Sequence, residues 1–142
     1  KKINIVIGGG YQYMEDLNII CKSINACEVN LYQNVDAEKM VSIIQDSHLA
    51  IVPSSSIAYE VLSVNIPIIC GYSVANQQRI YNALVAKDLV LGIGRLPTNK
   101  LAINIDIMKE KIGKMMKKQS YIFDGNSGER LLQIFKNIKD EK

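Results

Sequence analysis

The chain has 142 residues, of which 48% are hydrophobic and 22% charged, enough to bury a core and too apolar to remain disordered. Its net charge is only +3, it has no Trp, and no basic patch is interleaved with aromatics, which argues against nucleic acid as a partner. No apolar run approaches the length of a membrane span, and no secretory leader is expected.

"INIVIGGG" (3–10) predicts a buried strand that ends in glycines. "MEDLNIICKSI" (14–24) has helical spacing at Leu17, Ile20, Cys21 and Ile24. "CEVNLYQN" (27–34) predicts a second strand, and "DAEKMVSIIQDS" (36–47) a short helix with Asp36 as its N-cap. "HLAIVP" (48–53) predicts a third strand, and "SIAYEVLSVN" (56–65) a helix closed by the Asn65–Pro67 punctuation. "PIICGY" (67–72) predicts a fourth strand, "ANQQRIYNALVAKD" (75–88) a helix and "LVLGIG" (89–94) a fifth strand. "TNKLAINIDIMKEKIGKMMKK" (98–118) predicts a long helix, and "NSGERLLQIFKNIK" (126–139) closes the pattern. Short apolar strands alternating with helices require parallel pairing and right-handed crossovers. The expected fold class is therefore α/β, a Rossmann-like, doubly wound parallel sheet in a single domain over residues 1–142.

In such sheets ligands bind beyond the carboxyl ends of the strands. Three polar clusters fall there: Gly8–Gly10, Ser54–Ser56 and Asn76–Gln78. The glycines permit a tight turn and close approach of a ligand. They do not complete a dinucleotide fingerprint, because Tyr13 stands where a glycine is needed and Gln33–Asn34 where an acid would hold a ribose. A plain strand-to-helix turn is the competing reading. Ser56 is placed to cap the helix that follows the third strand, but a capping box would then put its acid at Tyr59. Glu60 falls one position beyond, on the same face as Ser56. Hydroxyls and free amides at a helix start suit a phosphate, and a carboxylate one turn on suits a vicinal diol. A solvated glutamate is the alternative. The amides of Asn76 and Gln77 suit neutral hydroxyls, or simply open a helix.

Other chemistries find little support. Cys21, Cys27 and Cys70 form no CxxC pair and are expected to be buried thiols of a cytosolic protein. His48 has no ligand-spaced partner, so neither a metal nor a cofactor is expected, and it precedes the third strand, away from the serines. The basic excess of residues 98–142, ten Lys and Arg against six acids, reads as a solvated helix face, with an anionic partner as the lesser reading.

The chain resembles the C-terminal half of GT-B fold nucleotide-sugar enzymes, of the PseG/SpsG and MurG-like groups. The resemblance rests on "IVIGGG", on "YQNVDAEKMVSIIQDSHLAIVPSSSIAYEVLSVNIPIICGYSVANQQRIYNAL" and on "FDGNSGERLLQIF". It implies a UDP-sugar-binding domain, either of a UDP-sugar hydrolase of nonulosonic acid and surface polysaccharide synthesis or of a glycosyltransferase. By the same resemblance Glu60 would bind ribose. Ser54, Ser55 and Ser56 would hold the diphosphate with Gly9 and Gly10. Asn34 and Val35 would offer backbone contacts to uracil, and Asn76 and Gln77 would touch the sugar. Ala75 stands where the family often has Asp, and the serine turn lacks the family's glycine. The family's base is a histidine of an N-terminal domain. Since the sequence starts at Lys1 and is in a strand by Ile3, that domain is expected to be missing and no catalytic residue is expected here. A non-catalytic α/β binding module is the rival class.

Overall fold

A computed structural model describes residues 1–97 and 105–140. The chain is mixed α/β, and it divides into two compact units, Lys1–Asp46 and Ser47–Lys142, where the sequence reads as one domain.

The first unit contains β1 (Lys2–Ile7), α1 (Met14–Ser23), β2 (Glu28–Gln33) and α2 (Ala37–Gln45). β1 and β2 pair in parallel, with Ile7 opposite Gln33. The expected Asp36 cap is present: its carboxylate accepts from the Lys39 amide at 2.8 Å. Replacing Asp36 with Ala should cost about 0.5–2 kcal/mol of stability, read by denaturant unfolding. The core of this unit is thin, with Ile43 and Ile44 of α2 its buried hydrophobics. Leu17 and Cys21 on α1 and Ile24 at its C-cap are half-buried, but Ile20 is exposed, against the spacing argument. Positions 17 and 21 share one narrow stripe of the helix with Ile20 on its shoulder, and the helix ends before Ile24, whose backbone is extended.

The second unit contains β3 (Ala50–Pro53), α3 (Ser56–Ser63), β4 (Ile68–Tyr72), α4 (Ala75–Ala86), β5 (Leu91–Arg95), α5 (Ile105–Ile122) and α6 (Ser127–Asp140). Its sheet has the order β3-β4-β5, all parallel, with Pro53 opposite Gly71. The parallel pairing expected from the sequence is therefore present, in two small sheets. β4 is the central strand, and Ile68 to Gly71 are all buried, which is why it reads as an unbroken apolar run. α3 contributes Ala58, Val61 and Leu62 to the core, each no more than 1% exposed. Ile69 and Ile93 form a cluster joined by Leu91, Leu96 and Ile112.

Gly92 is fixed by packing. A Cβ there would collide with the Tyr81 hydroxyl and with Val85 Cγ2. The same hydroxyl accepts from the Gly94 amide at 2.9 Å, tying α4 to β5. Gly92→Ala should destabilise the unit by about 1–3 kcal/mol, read by thermal unfolding.

The turn between α5 and α6 explains "FDGNSGER". Asp124 accepts from both Arg130 nitrogens, at 2.7 and 3.0 Å, and from the Asn126 amide at 3.0 Å. Gly125 takes the left-handed conformation, φ 78°. The Arg130 fork holds the Asp124 carboxyl well below the usual carboxylate range. A depressed folded value means the clamp is complete above the unfolded pKa and is lost as pH falls through the folded one. Asp124 should thus stay ionised while ordinary carboxylates protonate, and Arg130→Ala should return it to the ordinary range; a carboxyl-resolved NMR titration reads both.

The helix expected over 98–118 is found as α5, which runs on to Ile122; Thr98–Asn104 lie outside the described residues. α6 is amphipathic, and Leu131, Leu132, Ile134, Phe135 and Ile138 are 54–62% exposed. Cys70 is buried, but Cys21 and Cys27 are half-exposed, because their elements lie in the thin first unit; all three are free thiols. Among the described residues no helix is long and apolar enough to cross a membrane.

Candidate functional site

The serine turn leaves β3 and enters α3 at the carboxyl edge of the second unit's sheet. Its three serines have different environments. Ser54 is fully buried. Its amide donates to Gly71 O at 2.8 Å, and its hydroxyl donates to Gln77 O at 3.1 Å. It also lies against Cys70, whose thiol burial pushes up to about 11, with the Ser54 hydrogen bond offsetting part of the rise. Ser54 therefore joins the β3 turn to the first turn of α4 and presents no surface to a ligand.

Ser55 is the N-cap of α3, with φ −132° and ψ −164°, and its side chain makes no cap hydrogen bond. The cap thus falls one residue earlier than the sequence reading placed it. The backbone reason is the Ala58 amide, which donates to Ser55 O at 3.0 Å and closes the first turn there. The capping-box position then becomes Ala58, a buried residue, and Glu60 lies further still from any capping role. Ser56 and Glu60 are both exposed, one turn apart on α3. Among the described residues no side chain pairs with the Glu60 carboxylate, while its backbone carbonyl accepts from Ser63 Oγ at 2.7 Å. Neither a cap nor an ion pair accounts for this glutamate.

The turn after β4 is adjacent. α4 opens at Val74, again without a side-chain cap. Gln77 Oε1 accepts from the Ser73 amide at 2.9 Å, so one half of that side chain is committed and its amide NH₂ is the remaining donor. Asn76 is exposed. The Ser54–Gln77 bond therefore brings the serine and Asn-Gln clusters together at one sheet edge.

In the first unit, the glycine turn after β1 is closed by Tyr11, whose amide donates to Gly8 O at 3.2 Å. Asn34 follows β2 at φ 51°, and its amide donates to Ile7 O at 3.2 Å. A Cβ on Gly9 would stand 3.0 Å from Asn34 Oδ1, so the Asn34 side chain would have to give way to any larger residue there. Gly9 and Asn34 are thus neighbours, while Gly10 faces open space and Val35 is half-buried. Two exposed tyrosines follow the glycines; from the sequence, Tyr13 stands out only as a departure from the glycine fingerprint. Tyr11 and Tyr13 meet edge to face, with centroids 6.0 Å apart. The signal for them was "GGGYQY", aromatics in a turn where small polar residues are usual.

His48 lies exposed in the loop before β3, which begins at Ala50. Among the described residues no group of three or more His, Cys, Asp and Glu has an arrangement that holds a metal ion.

The chain matches an uncharacterized protein of Methanocaldococcus jannaschii, with 28% identity over 86 residues. That match covers 60% of this chain and 17% of the relative, so the chain spans less than a fifth of the relative's length. No family model matches the chain.

Proposed function

We propose that the chain is the nucleotide-sugar-binding part of a two-domain UDP-sugar hydrolase acting in the cytoplasm, with its catalytic base supplied by another domain. The observation that carries this reading is α3: an N-terminus whose cap side chain makes no hydrogen bond and leaves the Ser56 and Ile57 amides without a partner among the described residues, followed one turn on by an exposed, unpaired carboxylate at Glu60. Amides at a helix start favour a diphosphate. A carboxylate accepts two hydrogen bonds from a vicinal diol. Ser55 and Ser56 supply the hydroxyls of the cradle, and Ser54 acts through the turn it fixes. Asn76 and Gln77, held beside the serine turn by the Ser54–Gln77 bond, would contact the sugar.

In the proposed reaction water attacks the anomeric carbon, its proton passes to the distant base, and the bond to the diphosphate oxygen breaks. The charge that develops on departing UDP would be spread over the α3 amides and hydroxyls. A glycosyltransferase would use the same donor site with an acceptor hydroxyl in place of water.

Calorimetric titration of the chain with UDP tests the reading directly, and absence of UDP binding rejects it. Gln77→Ala is expected to weaken a UDP-sugar more than UDP. Loss of the Ser73–Gln77 bond alone would affect both ligands equally, so the ratio of the two affinities is the readout.

A further inference from the structure

The sheet of the second unit ends at β5, and among the described residues no strand pairs with its outer side. Beside it the end of α4, the start of β5 and the length of α5 bound a cavity of about 1030 Å³. This is near the upper end of the range for small-molecule sites. The floor is apolar: Val90, Leu91 and Met115 line it, and Val90 and Met115 are buried.

The rim is basic. Lys111, Lys114 and Lys118 follow one another at helical spacings of three and four, which puts them on one face of α5, and Lys117 joins them at the opening. Lys118 is neutralised by Asp88 at 2.6 Å. Among the described residues Lys114 and Lys117 make no ion pair; Lys111 makes no salt bridge, though its charge also acts on Asp88, and Glu110 is the other acid at the cavity. Lysines on a convex helix face are merely solvated. Here they line the α5 side of a concavity whose floor is apolar, so their like charges act on the space it encloses.

We propose that this cavity binds an amphipathic small-molecule anion, with its phosphate or carboxylate between Lys111 and Lys114 and its apolar chain along Val90, Leu91 and Met115. Charge complementarity selects an anion, and the apolar floor selects a chain attached to it. The concave shape favours a single molecule over a bilayer, whose plane would meet the lysines and leave the floor empty. The site is separate from the serine turn and does not depend on UDP recognition.

The test is calorimetric titration of the 142-residue chain with decyl phosphate below its micelle concentration, beside inorganic phosphate, neutral decyl maltoside and vesicles of anionic phospholipid. Decyl phosphate should bind, more weakly as salt rises. The exposed pair Lys111→Gln with Lys114→Gln should weaken it about fivefold or more while leaving the melting temperature and UDP titration unchanged. Lys114→Gln should give a smaller loss. Equal binding of decyl maltoside would reduce the cavity to a greasy surface and overturn the proposal. Inorganic phosphate binding as well as decyl phosphate would reduce it to a charge patch, and binding to vesicles alone would assign the lysines to a membrane. Decyl phosphate binding that is unaffected by the double substitution would place the anion elsewhere.

Discussion

Replacing Glu60 with Ala is expected to weaken UDP binding about tenfold to a hundredfold without moving the melting temperature. A hydrogen bond to a charged group is worth about 1.5–3 kcal/mol, and every 1.4 kcal/mol is about tenfold in affinity. The carboxylate is exposed on α3 and pairs with no side chain among the described residues, so its removal takes nothing from the folded state. Glu60→Gln should lose less, because an amide oxygen still accepts. UDP titration and thermal melts of the three proteins decide the matter. Unchanged affinity in Glu60→Ala would remove the ribose role, and a collapse of its melting temperature would make Glu60 structural.

Leu62→Ala should give the opposite result from the same helix. Leu62 is fully buried on α3, beside Val61 and Ala58. Truncating such a leucine leaves a cavity in a close-packed core and costs about 2–5 kcal/mol. For a domain of around 100 residues, each kcal/mol lowers the melting temperature by roughly 4–8 °C. UDP affinity measured well below the transition should fall little, since the apolar face of α3 is turned from Glu60. A change in stability under about 0.5 kcal/mol would mean that α3 does not pack as described. Together the two substitutions separate the face of α3 that holds the fold from the face proposed to hold ligand.

The alternation of strand and helix, the parallel pairing and the Asp36 cap were all legible in the sequence, because each depends on periodicity or on a local side-chain-to-backbone bond. "PIICGY" announced a central strand for the same reason: burial on both faces leaves no polar alternation. The sequence also indicated that Glu60 was outside a capping box, since that is a matter of counting residues.

The roles of the serines were decided only in three dimensions. Ser54, Ser55 and Ser56 are chemically identical neighbours, yet one is sealed against Gln77 and Cys70, one caps α3 through its backbone and one is exposed. Nothing local distinguishes them, because the Ser54 acceptor is 23 residues away. The same holds for Gly9, which approaches Asn34, and for Gly92, where Tyr81 and Val85 leave no room for a Cβ; the neighbour that matters is remote in sequence. The basic run on α5 reads as a solvated face until the chain sets it beside the open edge of β5. Periodicity fixes which residues share a face of one element; what that face meets is settled by packing between elements, which carries no local signature.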